Sequence, residues 1–260
     1  MRERLFSVIK RAVERSGLPY FREPLLGTAP AGDSCLRQLK EIVHPDHLLP
    51  EDILPGARAV VAYFLPFKSY VVEGNRGGRH ASRLWAEVYI QTNRLLTGIA
   101  GEIETELARE GFKCAWEKPT HNFDSDLLVS YWSHKHVAFA CGIGRFGRNH
   151  LLITERGCAG RIGSLVTDWD PGIPSGDGEI IPFYECPPKC NYCFKSCPAG
   201  ALQDDGLDKR KCYLMLLEND RLYPDLGLCD VCGKCSTGPC GLSSLIRGRR
   251  GGQNPTCRQG

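Results

Sequence analysis

The sequence predicts an α/β (α+β) domain over residues 1–180, a small cysteine-rich domain over residues 181–245 and a basic tail over residues 246–260. Three observations carry this division. An apolar run at residues 57–65 and a long helical pattern at residues 82–109 are the strand and helix of an ordinary layered core. Nine of the 14 cysteines fall between Cys186 and Cys240. Between these regions, residues 168–178 hold three glycines, two prolines and three aspartates, the composition of an exposed linker. A chain of 260 residues also exceeds a single modal domain, and its 42% hydrophobic content is that of a globular protein.

Taken in order, Leu5, Val8, Ile9, Ala12 and Val13 share one face of a first helix, which Gly17 stops. Pro19, Pro24 and Pro30 break up a loop-rich stretch reaching Gly32. Residues 57–65 are rich in Ala, Val, Tyr and Phe and read as a strand covered on both faces, ending at Pro66. A loop bearing glycine and arginine at residues 74–79 leads into the long helix. There Leu84, Val88, Leu95, Ile99, Ile103 and Leu107 keep a helical spacing, and Gly111 is the expected cap. Residues 112–117 read as the next strand, 127–141 as a short helix, and 151–154 and 162–166 as strands.

The cysteines run Cys186-x3-Cys190-x2-Cys193-x3-Cys197-Pro198, then Cys212, then Cys229, Cys232, Cys235 and Cys240. Bacterial two-cluster ferredoxins carry C-x2-C-x2-C-x3-C-P, in which the fourth cysteine ligates the other cluster. The first interval here is one residue wider; the other two and the sequel Ala199-Gly200-Ala201-Leu202 fit. Each 4Fe–4S cluster takes four thiolates, so nine cysteines exceed by one what two clusters need. Zinc ribbons instead separate two C-x2-C pairs and close them around one ion. Disulfide frameworks belong to secreted, usually small domains, and no signal-peptide pattern opens this chain, so a reducing cytoplasm is expected. Cys35, Cys114, Cys141 and Cys158 read as buried small hydrophobes, and Cys257 falls in the tail.

Gly142-Ile143-Gly144-Arg145-Phe146-Gly147 matches G-x-G-x-x-G. A dinucleotide fingerprint needs a strand before it and a helix after it. Here residues 133–141 read as helical and 150–154 as extended, so the order is reversed and the Rossmann reading is set aside. A backbone freed of side chains can still lie close to a large flat cofactor or a phosphate. His134 and His136 precede this loop and are candidate proton donors; two apart on a helix, they point in different directions. His80, His121 and His150 have no spacing partner that suggests a metal site. Trp85, Trp116, Trp132 and Trp169 are expected in the core, with a cofactor pocket as the alternative.

The stretch from His136 to Asn149, together with the cysteine region, resembles the epoxyqueuosine reductase family and its shorter relatives, whose pattern is close to A-x-x-A-G-L-G-x-x-G-x-N. Residues 151–154 and 161–166 also fit, and residues 21–27 and 54–60 resemble the short relatives, so the likeness spans residues 20 to 242. The resemblance implies a cobalamin-binding domain joined to a bacterial-type two-[4Fe-4S] ferredoxin domain whose clusters feed electrons to cobalt. Gly142, Gly144, Gly147 and Asn149 match the loop lying along the corrinoid. Cys186, Cys190 and Cys193 would hold the first cluster with one late cysteine, and Cys197 and Cys212 the second with a late pair. Cys232-Gly233-Lys234-Cys235 and Pro239-Cys240 favour Cys232 and Cys235 in the second cluster and Cys240 in the first, leaving Cys229 spare. The alternative uses Cys229, Cys232 and Cys235. The family's proton-donating aspartate corresponds to Asp126 or Asp124, although the proline of its motif is missing here. The helical C-terminal domain that helps the full-length enzymes hold transfer RNA is expected to be absent.

These readings lead to an iron–sulfur oxidoreductase that passes electrons through two clusters to cobalamin and reduces a small-molecule or corrinoid substrate. Its electron donor is expected to be a ferredoxin or flavodoxin. Two alternatives stand beside it: a non-catalytic electron-transfer protein that activates a partner corrinoid protein, and reduction of epoxyqueuosine in tRNA. A net charge of +3 does not by itself argue for nucleic acid. No stretch approaches the roughly 18 unbroken apolar residues of a membrane span.

Overall fold

The computed structural model describes residues 1–120, 122–173, 186–187, 189–204 and 206–244. Helix α1 (Arg2–Arg15) buries Leu5, Val8, Ile9 and Ala12, and Gly17 leaves it at φ 64°. Strand β1 (Leu25–Pro30) follows, inside the stretch expected to be loop. Its proline and glycine hide the strand from a propensity reading, but β1 is a sheet edge, where proline is tolerated. Three single-turn helices come next, α2 (Ser34–Arg37), α3 (Leu39–Ile42) and α4 (Pro50–Ile53). Strand β2 (Ala59–Pro66) is buried at every position, as its composition requires. A short α5 (Ser69–Gly74) precedes α6 (Arg83–Arg109), which the Ser82 hydroxyl caps by accepting the Trp85 N–H at 3.2 Å.

Beyond α6 the extended segment shrinks to β3 (Cys114–Ala115). The helix expected from residue 127 is instead a hairpin, β4 (Phe123–Asp124) with β5 (Val129–Ser130), followed by the shorter α7 (His134–Ala140). The Asp124 carboxylate causes this: it accepts the N–H groups of Asp126 and Leu127 at 2.9 and 2.8 Å and closes a turn. Hairpin β6 (Gly144–Phe146) and β7 (Leu152–Thr154) follows α7, then β8 (Gly160–Thr167).

The main sheet has the order β1-β2-β8-β3 and is antiparallel throughout. The chain is thus mixed α and β. On one face, Val61, Tyr63, Leu65 and Leu165 form a core with α1 and α6. On the other, Val60, Ala62, Phe64 and Val166 meet α2 and α7. Gly27 on β1 lets the end of α7 settle on the sheet, because a Cβ there would collide with the Cys141 carbonyl. That contact fixes where the glycine loop leaves the domain.

In the cysteine-rich segment, α8 (Tyr192–Ser196) precedes the small hairpin β9 (Leu202–Gln203) and β10 (Gly206–Leu207), then α9 (Lys209–Asp220). Its end packs into the first part of the chain. Cys229 and Val231 join the α1–α6 core, and the N–H of Ala159 donates to Gly241 O at 3.0 Å. Lys234, only 3% exposed, donates to Asn75 O and Gly77 O at 2.9 and 2.6 Å. The boundary expected near residue 180, the basic tail, Cys257 and His121 lie outside the described residues. Among the described residues no helix is long and apolar enough to cross a membrane.

Candidate functional site

The cysteines of this segment influence one another electrostatically. Cys193, on α8, is pushed up to about 11, first by burial and then by Cys186, Cys240 and Cys190. Burial also raises Cys186, opposed by the N–H of Arg148, with Cys240 and Cys190 adding to the rise. Cys212, on α9, is pushed up to about 11 by burial and then by Cys232 and Cys197. Half-buried Cys235 is raised well above the ordinary thiol range, first by desolvation and then by Cys232, Cys212, Cys197 and Cys193. By these influences Cys186, Cys190, Cys193 and Cys240 form a first quartet and Cys197, Cys212, Cys232 and Cys235 a second, although Cys235 also feels Cys193. Cys229 stands apart in the core, raised by burial and then by Asp220 and Asp230, with its N–H on Asp220 Oδ1 at 2.6 Å.

The donor set suits iron–sulfur clusters. The eight side chains of the two quartets are thiols, and N–H groups approach the sulfurs, Ala201 on Cys197 at 3.3 Å and Arg148 on Cys186 at 3.4 Å. Among the described residues no group of three Cys, His, Asp or Glu is arranged to hold a single metal ion. A further thiol joins the first set. Cys158 lies 3.8 Å from Cys240, sulfur to sulfur, and the Asn149 amide is 3.6 and 3.9 Å from the two. Cys158 keeps its proton, raised by the hydrogen bond it donates to Cys240 and by burial; Cys240 is lowered in return. Reading Cys158 as a mere space-filler missed this, because only the register of residues 157–159 against 240–241 brings it there.

The glycine loop is the turn and hairpin after α7. Gly142 sits at φ 72°. A Cβ on Gly144 or Gly147 would come within 2.5 Å of Ile153, so both are glycines for the sake of the hairpin's own packing. Asn149 is buried and faces the cysteines: its Oδ1 accepts the Leu151 N–H, and its Nδ2 donates to Cys235 O at 3.2 Å. Arg148 fastens the hairpin to the first quartet, donating to Cys190 O at 3.0 Å, pairing with Asp204 and stacking 4.5 Å from the Phe194 ring centre. Lys135 donates to His150 O at 3.0 Å and is lowered to about 8 by burial and Lys209, with Cys212 and Cys235 opposing. Neither cation carries a spacing signal that a sequence reading could find.

The two histidines separate as their spacing suggested. His134 is a core residue: its Nδ1 accepts the Ser164 hydroxyl at 2.7 Å, and its Nε2–H donates to Lys118 O at 3.0 Å. The Lys118 carbonyl can only accept, which fixes that tautomer. Trp132 Nε1–H donates to the same Ser164 oxygen at 3.0 Å. With both nitrogens engaged, His134 has nothing to offer a substrate, contrary to its candidacy as a proton donor; burial lowers it to about 4. His136 is half-buried on the loop side, Nδ1 to Ser133 Oγ at 2.7 Å and its ring 4.7 Å from that of Phe146. Burial and Lys135 lower it to about 3. Asp124 is tied into its turn, whereas Asp126 is exposed. Trp85 and Trp132 are buried in the two cores, with Trp116 and Trp169 packed beside the first.

No protein-family model matches the chain. It is 26% identical over 186 residues to the epoxyqueuosine reductase of Bacillus cereus, an alignment covering 68% of this chain and 44% of that protein. Against the epoxyqueuosine reductase of Listeria monocytogenes it is 28% identical over 194 residues, 70% of this chain and 46% of that one. The chain is thus similar to epoxyqueuosine reductases over about two thirds of its length. It spans less than half the length of these curated relatives. The solved epoxyqueuosine reductase of Bacillus subtilis superposes over 94% of this chain and 68% of its own, with TM-score 0.53 and 18% identity. Another, crystallised with an epoxyqueuosine-modified tRNA stem loop, covers 91% of this chain and 66% of its own, with TM-score 0.51 and 17% identity. At these identities the superpositions speak to the fold that this chain and the epoxyqueuosine reductases share.

Proposed function

We propose that this chain is an iron–sulfur reductase of the epoxyqueuosine reductase kind, its two cysteine quartets each holding a 4Fe–4S cluster. The observation that supports the reading is the mutual influence of eight closely spaced thiols, with Cys229 influenced instead by Asp220 and Asp230. Such clusters, when bound, supply electrons singly at potentials set by burial and hydrogen bonds to sulfur, and cobalamin, the acceptor implied by the family, supplies reductive cobalt chemistry. For the first cluster this chain provides N–H donors from Arg148 and the Asn149 amide, and the Cys158 thiol beside Cys240. For a flat cofactor the glycine hairpin offers a half-buried backbone face and the ring pair of His136 and Phe146, fastened to the first quartet by Arg148. Gly144, Gly147 and Asn149 already have structural duties, so cobalamin binding rests on the family likeness more than on these residues. His134 has both ring nitrogens engaged and His136 is held by Ser133 against Phe146, which leaves the exposed Asp126, at the family's aspartate position, as the proposed donor.

The deciding experiment is metal and corrinoid analysis after anaerobic reconstitution with cobalamin offered. About eight irons and one cobalt per chain, with an altered corrinoid spectrum, are expected. Iron without cobalt would remove the cobalamin part; absence of iron would end the reading. A second reading, reduction of epoxyqueuosine in tRNA, is favoured by the relatives' shared activity. Failure to bind a tRNA stem loop at low salt would dispose of it.

A further inference from the structure

We propose that the cationic cavity beside Cys197 is the docking site for an acidic protein electron carrier, through which the second quartet receives its electrons. The inference rests on the reading that Cys197 ligates a cluster. The cavity, about 390 Å³ being the size of another beside Trp132, is itself about 330 Å³ and is lined by Gly77, Gly78, Arg79, Lys195, Cys197 and Lys234 among others. A cluster ligand therefore forms part of the wall of a surface cavity, and a carrier seated over it would be separated from the cluster by little more than that side chain.

Three cations surround the opening. Lys195 is exposed, Lys234 lies beneath it held by two backbone carbonyls, and Arg79 reaches Pro198 O at 3.4 Å. The opposing carboxylate is Glu218, which Arg79 and His80 both engage at 2.7 and 2.6 Å. Positive charge is left in excess, the complement of a carboxylate-ringed redox protein. Gly77 and Gly78 both stand at φ 64°, and a Cβ on either would meet nothing within 4 Å. Unlike Gly144 and Gly147, they border open space, where a partner's backbone can come close. Among the described residues lining the cavity none is aromatic, so they offer no platform to stack an unpaired base, which favours a protein over RNA. The transfer itself makes and breaks no bond: the reduced carrier loses one electron and the cluster gains it.

The test follows cluster bleaching in the reconstituted full chain on mixing with reduced acidic ferredoxin or, separately, with reduced methyl viologen, a small cation the patch does not attract. The ferredoxin rate is expected to fall with salt and to drop about tenfold in Lys195→Glu, while Arg94→Glu, an equal charge change on exposed α6 surface, leaves it unchanged. Viologen should bleach the wild type and Lys195→Glu alike, showing the clusters intact. A ferredoxin rate indifferent to both salt and Lys195→Glu, with viologen still active, overturns the docking site and leaves the cluster reading standing. So does loss of tRNA stem-loop binding in Lys195→Glu with ferredoxin reduction unaffected. If viologen bleaches nothing in the wild type, the cluster reading falls and the docking site with it.

Discussion

Gly157 is where a single methyl group should do the most damage to the first cysteine quartet. It stands at φ 81°, and its Cβ position is occupied by the Gly241 backbone carbonyl. Two backbone bonds depend on this approach, Cys158 N–H to Cys240 O at 2.9 Å and Ala159 N–H to Gly241 O at 3.0 Å. In Gly157→Ala the left-handed conformation costs about 1–2 kcal/mol. Pushing the segments apart loses two hydrogen bonds at about 1 kcal/mol each, for a total of about 3–4 kcal/mol. Gly111→Ala is the matched control: it has the same φ of 81° but nothing within 4 Å of the added carbon. It should therefore bear the conformational cost alone, about 1–2 kcal/mol. The assay is the unfolding midpoint of both variants by circular dichroism under anaerobic conditions, with iron content measured in parallel. Gly157→Ala should melt below Gly111→Ala and lose iron from the quartet containing Cys240. Equal melting of the two variants with full iron retention would refute the argument that this contact seats Cys240.

Cys229→Ser should keep its full iron content, whereas Cys240→Ser should lose about half, one cluster of two; iron and sulfide assays distinguish them, and the reverse result would exchange the two roles. Lys234→Met leaves Asn75 O and Gly77 O without their buried donor and should cost about 2 kcal/mol or more, read from a urea midpoint. His134 is lowered from 6.5 to about 4, so below pH 6.5 the unfolded chain takes up a proton that the folded chain refuses. Stability should therefore fall by about 3 kcal/mol as pH drops through that window, and His134→Gln should flatten the slope in urea melts at stepped pH.

The parts legible in the sequence are those whose physics is local. The all-apolar run of β2 announces a strand with helices on both faces, and the spacing of α1 and α6 announces the helices that cover one of them. The reversed order around the glycine loop rules out a dinucleotide fold, because a helix before Gly142 and a hairpin after it are set by nearby residues. Short intervals between cysteines are the basis for proposing them as ligands, since a cluster gathers thiols from adjacent turns. Edge strand β1 stayed hidden because proline and glycine lower propensity without preventing pairing at a sheet edge. The hairpin before α7 stayed hidden because one carboxylate, Asp124, outweighs a helical pattern.

The rest belongs to tertiary structure. Asn149 could be read as a loop residue facing a cofactor; packing turns it onto Cys235 and Cys240. Two histidines two residues apart are equivalent in the sequence, and only the neighbouring Ser164 and Lys118 commit His134 to the core while His136 stays on the loop side. Residue type and spacing determined that this chain carries a layered α and β core and a cysteine-rich segment. That Cys229 lies in the α1–α6 core and that Cys158 meets Cys240, 82 positions away, were decided by long-range contacts, because such residues meet only when the sheet and its covering segments close.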